Sequence, residues 1–225
     1  VALCDGLLEG GDRLLWAYGT ANGYARAAAF RGDFDQAREL LDRAAEAFAE
    51  LGGARGWYST AMIRADMERL AGHPSAAAEV VGEAVQRGDR SEPEALAWIA
   101  DEIALQRALD GDGDDAERWL ARARPTSDPD VLLMRKGVRI RILLAKGRLG
   151  EAVDASRAAV VVGRGSMALD YWATVLEGAA DAFDATGSGH ELRSTLDELA
   201  DAYRRKGNLV ALRRTEDRIA ALGSP

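Results

Sequence analysis

RGDFDQARELLDRA, residues 31–44, is the stretch that decides the fold, because it joins a Gly-Asp turn to an amphipathic run. After the turn, apolar residues recur every three or four positions, which is typical of an α-helix that buries one side. They are Phe34, Ala37, Leu40, Leu41, Ala44, Phe48 and Leu51. The stretch therefore predicts a helix that begins just after the glycine.

The same turn occurs five times along the chain, with its glycines separated by 40, 39, 36 and 40 residues. Four of the five copies have an alanine five positions after the glycine. The glycines are Gly32, Gly72, Gly111, Gly147 and Gly187, and the later residues are Ala37, Ala77, Ala116, Ala152 and Leu192. Such a glycine is suited to ending a helix in the left-handed conformation. Self-similarity at this period predicts a solenoid of helical hairpins.

Small residues also lie seven positions before the turn glycine in four copies, where they would let two antiparallel helices approach closely. They are Ala25, Ala65, Ala104 and Ala180, with Ile140 as the exception. Helical periodicity further predicts continuous helices over residues 13–31 and 93–110, among others. The glycines inside predicted helices are expected at tight crossings; they are Gly19, Gly23, Gly137 and Gly178.

This pattern resembles the tetratricopeptide repeat over about residues 13–200, in the small residue of the first helix, the turn glycine, Phe34, Ala37 and Ala44. The resemblance implies an all-α fold, a right-handed α-solenoid of about five helical hairpins plus a C-terminal closing helix. The predicted divisions are the end of a preceding helix and a linker (1–12), the repeat domain (13–206), and the closing helix and tail (207–225).

The ending YRRKGNLVAL, residues 203–212, with the repeats before it, is similar to the C-terminal helical-repeat region of large actinobacterial regulators. Those multidomain proteins carry a nucleotide-binding ATPase module, joined to a LuxR-type DNA-binding domain or to an adenylate cyclase domain. The resemblance implies a sensing or partner-binding role. Because the chain begins with Val1 rather than Met, we expect further protein upstream.

Charge is distributed unevenly around a net value of −8. Residues 1–120 carry 12 basic and 23 acidic side chains, whereas residues 122–164 carry 10 basic and 4 acidic ones. The overall negative charge argues against direct nucleic-acid binding. We expect the basic belt at residues 134–148 to form ion pairs with acidic residues on adjoining repeats or on an acidic neighbour domain.

The sequence predicts a cytoplasmic protein that has no membrane contact. Cys4 is the only cysteine, which fits a reducing compartment. No apolar run approaches the roughly 20 residues that span a bilayer.

Motifs for catalysis, metals and cofactors are missing from the sequence, so we expect a protein that is not an enzyme and binds no metal or cofactor. There is no phosphate-binding loop, no His-Glu-x-x-His and no GxSxG. Asp110, Asp112 and Asp114 alternate as in a calcium loop, but Asp115 and Ala121 occupy the places of its essential Gly and Glu. A polar turn between helices is the preferred interpretation.

The concave face of a solenoid is its usual binding surface, and it would take the first-helix positions 13, 10, 6 and 3 residues before each turn glycine. The candidate ligand- or peptide-binding residues are Asn22, Arg26, Asp66, Arg69, Trp98, Asp101, Arg141, Glu177 and Asp181. The alternative is a solvated helix face with local ion pairs. For the five tryptophans, packing between repeats is preferred over a ligand-stacking surface.

Two functions remain open at this point. The first is a non-catalytic protein-interaction scaffold within a larger bacterial signalling or transcriptional regulator, whose partner is a protein or peptide, including an upstream domain of the same chain. The second is an effector-sensing domain that binds a small polar ligand or peptide in the groove.

Overall fold

A computed structural model describes residues 13–223, apart from the side chains of residues 89 and 91, and all its regular elements are helical. The predicted all-α class is therefore confirmed for this range, whereas the predicted linker at residues 1–12 lies outside it. In chain order the elements are α1 Arg13–Gly19, the π-helix π1 Thr20–Ala25, α2 Arg26–Arg31, α3 Phe34–Glu50, α4 Ala54–Ala71, α5 Pro74–Ser91, α6 Pro93–Trp98, α7 Ala100–Leu109, α8 Gly113–Arg122, α9 Pro129–Ala145, α10 Leu149–Gly163, α11 Leu169–Ala185, α12 Gly189–Lys206 and α13 Leu209–Ala221. Within the described range, each helix is too short or too polar to cross a membrane.

The helices form two compact units, which meet in sequence between Glu102 and Ile103, inside α7. In the first unit, α3 packs on π1 and α4, and α4 packs on α5. In the second unit, α11 packs on α9, α10 and α12, and α13 packs on α12. Helices that follow one another through short turns are therefore also neighbours in space, as in helical hairpins.

One turn geometry ends six of the helices. The turn glycine has a φ between 68° and 93°, which the absence of a side chain permits. Its N–H donates to the carbonyl three residues back, and the next N–H donates to the carbonyl five residues before it, at 2.8–3.2 Å. This is a Schellman motif, and it satisfies carbonyls that the helix end leaves without partners. The glycines are Gly32, Gly72, Gly111, Gly147, Gly187 and Gly207.

Small residues lie at the helix crossings, as the repeat alignment predicts. The four alanines that follow the turns are fully buried, and those that precede them are at most 1% exposed; they are Ala37, Ala77, Ala116 and Ala152, then Ala25, Ala65, Ala104 and Ala180. A Cβ on Gly137 would lie 3.0 Å from the Thr174 backbone, and one on Gly178 would lie 3.1 Å from Ile140. The expectation for Gly23 is wrong, because a Cβ there would meet nothing within 4 Å.

Two predicted continuous helices are interrupted. The helix over residues 13–31 contains π1, in which Gly23 lies and which Gly19 precedes. Glycine weakens the preference for the α conformation, so this stretch accommodates the wider winding. The helix over residues 93–110 breaks at Ile99, whose N–H donates to the Leu96 carbonyl at 3.2 Å. The Ile99 side chain is buried at this break.

An ion pair joins α3 to α4 in the first unit. The Arg38 guanidinium donates to both carboxylate oxygens of the buried Glu68, at 2.9 and 2.8 Å. This pairing lowers the pKa of Glu68 to about 2. Bidentate geometry makes such a contact stronger than most surface pairs, so it fixes the two helices against each other.

We expect Ala116→Arg to destabilise the second unit, because Ala116 is fully buried at a crossing that has no room for a guanidinium. Overpacking together with a buried charge costs about 3 kcal/mol or more. The melting temperature followed by circular dichroism should fall by roughly 6–12 °C. Ala121→Arg, on the exposed side of the same helix, is the matched control and should melt like the parent protein. Equal melting of both variants would contradict the alignment.

Candidate functional site

Three helices of the first unit bring predicted groove residues together. Arg26 begins α2, Asp66 lies on α4, and Asp101 lies near the start of α7. Beside Asp101 is Glu102, a residue that the sequence analysis did not select. We call Arg26, Asp66, Asp101 and Glu102 the Glu102 cluster, because all four interact electrostatically at this carboxyl group.

The Glu102 carboxyl group has a strongly raised pKa. Burial raises its pKa to about 7, the nearby charges of Asp101 and Asp66 raise it as well, and Arg26 opposes the rise. Its Oε2 atom is buried and accepts no hydrogen bond from the residues that the structure describes. At neutral pH this carboxyl group is therefore close to the midpoint of its titration. A cationic group that binds beside it would favour the ionised form.

The other two predicted groove residues of this region differ in their surroundings. Asn22 lies in π1, is exposed, and donates from its side chain to the Tyr18 carbonyl at 3.3 Å. Arg69 lies on α4, one turn after Asp66, and is half-buried. The Asn22 side chain thus bonds to the preceding helix α1, whereas Arg69 adds a positive charge to α4 near Asp66.

The tryptophans divide into two groups. Trp16, Trp119 and Trp172 are at most 6% exposed, which confirms core packing for these three. Trp57 is half-buried and Trp98 is 44% exposed. A guanidinium lies over four of the rings: Arg43 over Trp16, Arg55 over Trp98, Arg87 over Trp57 and Arg122 over Trp119. Cation–π attraction is therefore a recurring contact in this protein.

Trp98 lies in an open cleft of about 490 Å³ at the start of α4 and along α6. Arg55 lies over the indole, with its guanidinium carbon 3.7 Å from the ring centroid. We call this the Trp98 cleft; its lining residues are Ala54, Arg55, Glu92, Pro93, Glu94, Ala95 and Trp98.

A buried polar pair adjoins the cleft. The Oη atom of the fully buried Tyr58 and the Oε2 atom of Glu92 are both buried, and the hydroxyl and the carboxylate interact with each other. Burial raises the pKa of Tyr58 to about 12, and the neighbouring Glu92 carboxylate adds to the rise. Glu92 thus places a carboxylate between the buried Tyr58 hydroxyl and the cleft that it lines.

In the second unit the predicted groove residues form an ion-paired network. Arg141 on α9 donates to Asp181 on α11, and its Nη2 lies 3.8 Å from Glu177 Oε2. Arg218 on α13 approaches the same Asp181 at 3.0 Å, and the Tyr203 hydroxyl donates to Glu177. These contacts match the alternative of a helix face with local ion pairs.

Basic residues of the belt form ion pairs with acidic residues on α8, as expected. Lys146 Nζ lies 2.7 Å from Asp114 and 2.8 Å from Glu117, and Arg139 Nη1 lies 2.7 Å from Glu117. Lys146, with a smaller effect from Arg139, lowers the pKa of Glu117 to about 2. Arg135 donates instead to the Arg124 carbonyl at 2.6 Å.

The acidic turn before α8 uses its carboxylates within the second unit. Asp112 accepts from the Asp115 N–H at 3.0 Å and so caps α8. Asp115 itself pairs with Arg107 and Arg118. Across residues 13–223, no three histidine, cysteine or acidic side chains are grouped as a metal would require. The polar-turn interpretation fits these contacts.

Comparison of the sequence with protein-family models and with curated protein sequences finds no match. The resemblance to tetratricopeptide repeats and to regulator domains therefore depends on the residue pattern alone.

We expect Glu102→Gln to change the pH dependence of stability. A carboxyl pKa of about 7 in the folded state, against 4.5 as the ordinary value, destabilises the native state as pH rises from 4.5 through 7. The amide cannot ionise and so removes this loss. Relative to the parent protein, the free energy of unfolding of the variant should therefore be higher by up to about 3 kcal/mol at pH 8, with no such difference at pH 4.5. Urea unfolding at both pH values measures the difference.

Glu39→Gln is the control for this experiment, because Glu39 is exposed on α3. The control should keep the parent's pH dependence. If Glu102→Gln behaved in the same way, Glu102 would not be the group that titrates near neutrality.

Proposed function

We propose that this chain is a non-catalytic protein-interaction module of a larger bacterial signalling or transcriptional regulator. In this proposal its hairpins are tetratricopeptide-like, stack as a right-handed solenoid, and are closed by residues 207–225. The recurrent glycine turn and the small residues at the crossings support the repeat assignment. The partner is a protein or peptide segment in the cytoplasm, including a segment of an upstream domain.

The observation that carries the proposal is the Glu102 cluster. Helices of successive hairpins contribute charged groups to one place, and one of these groups, Glu102, is held half-buried near its titration midpoint. Charges in such surroundings interact more strongly than fully solvated ones. A partner segment that places a cation there is attracted by the carboxylates of Asp66, Asp101 and Glu102. Its charge also reduces their mutual repulsion, and both effects favour binding.

A crosslinking experiment tests this proposal. A photocrosslinking amino acid replaces the exposed Asp66 in the native-length protein, and the captured segments are identified by mass spectrometry in the native host. We expect one recurrent protein segment. Placement of the same group at exposed Glu39 is the control and should not capture that segment.

The variant Arg26→Ala extends the same test. Because Arg26 competes with the partner's cation for the carboxylates of the cluster, the variant should strengthen capture at Asp66 about tenfold, which corresponds to about 1.4 kcal/mol, while the melting temperature changes little. A large stability loss would mean that Arg26 is a structural residue. The same capture from both crosslinking positions would contradict a specific binding face at the cluster.

The second candidate is an effector-sensing domain, and the Trp98 cleft favours it. A volume of about 490 Å³ lies within the range of small-molecule sites. The two functions are distinguished by what binds, because an effector raises the melting temperature without a protein partner.

A further inference from the structure

We propose that the Trp98 cleft binds a lysine or arginine side chain of the partner, which replaces Arg55 on the indole face. This inference rests on the proposed role in peptide binding and adds the chemistry of the bound segment. Arg55 then acts as an internal occupant that the partner displaces.

The contact between Arg55 and Trp98 shows that the cleft accepts a guanidinium. The guanidinium carbon lies 3.7 Å from the ring centroid, within the range in which a cation is attracted to the face of an aromatic ring. Trp98 is 44% exposed and Arg55 is exposed as well, so both can be approached from solvent. The other three stacked tryptophans are buried or half-buried, which makes Trp98 the most accessible of the four.

The walls of the cleft favour a positive occupant. Glu92 and Glu94 both line it, against the single positive charge of Arg55. The Oε2 atom of Glu92 is buried beside the Tyr58 hydroxyl, so a full negative charge is held at the inner wall of the cleft. A partner's ammonium or guanidinium pairs with the Glu92 and Glu94 carboxylates, while its alkyl stem packs on Pro93 and the indole.

Displacement of Arg55 predicts that removal of this charged side chain increases the affinity for the partner. If a partner's cation competes with Arg55 for the indole, removal of Arg55 should strengthen binding. If the cleft instead took an anionic group, Arg55 would be its counter-ion, and removal would weaken binding. The charge of the occupant can therefore be read from one variant.

The test uses the 225-residue chain and three capped pentapeptides, Gly-Gly-X-Gly-Gly, at low salt. X is arginine, its neutral analogue citrulline, or glutamate. Binding is followed through the indole N–H resonance of Trp98, with calorimetry for the variants. We expect the citrulline and glutamate peptides to bind at least tenfold more weakly than the arginine peptide.

Four variants complete the test. Arg55→Ala should tighten arginine-peptide binding several-fold, whereas Trp98→Ala and Glu92→Gln should each weaken it about tenfold. Arg43→Ala is the matched control, because Arg43 also lies over a tryptophan, Trp16, outside the cleft. It should leave the affinity unchanged.

The outcomes separate this inference from the proposed function. Loss of binding in Arg55→Ala, or preference for the glutamate peptide, overturns the cationic occupant. Capture at Asp66 without any peptide response at Trp98 overturns it too and leaves the interaction module standing. Arginine-peptide binding at Trp98 without a captured partner supports the cleft and counts against the interaction module.

Discussion

Close approach of helix backbones is the constraint on which the rest of this structure depends. Two helices come near each other only where side chains are small, and the buried alanines and the glycine pair on α9 and α11 meet that condition. Glycines also leave space on a helix surface in which a large aromatic side chain can pack. A Cβ on Gly56 would lie 2.2 Å from the Phe48 ring, and one on Gly163 would lie 2.3 Å from Trp172. Because the core is densely packed, a side chain at Gly56 or Gly163 would require the neighbouring ring to move.

Once the backbones are close, charged side chains at the helix edges meet across the crossings. Arg38 and Glu68 join α3 to α4, and Lys146 and Glu117 join α9 to α8. Most of the charge in the second unit's predicted groove is compensated in this way, with Arg141 held by Asp181. Residues that look available for binding in sequence are thus engaged by neighbours in the fold.

The first unit contrasts with this pattern at two places. Glu102 has a buried carboxylate oxygen that accepts no hydrogen bond within the described range, and Glu92 has a buried carboxylate oxygen beside the Tyr58 hydroxyl. Both lie near interruptions of helical regularity, Glu92 between α5 and α6 and Glu102 just after the break at Ile99.

The sequence by itself determined the helical class, the positions of the glycine turns and the small residues at the crossings. These features follow from local rules: left-handed turns favour glycine, amphipathic runs form helices, and alanine fits a close approach. The helix predicted to begin just after Gly32 begins at Phe34 for the same reason. Of the candidate site, the sequence selected Arg26, Asp66 and Asp101.

Only the tertiary structure decided which charges pair and which do not. Glu102 carried no local signal beyond its position after Asp101, and its perturbed pKa arises from burial among helices far apart in sequence. The helix break at Ile99, directly after the exposed Trp98, was not revealed by periodicity either. Periodicity reports which side of a helix is apolar, whereas burial and pairing depend on which other helix lies opposite.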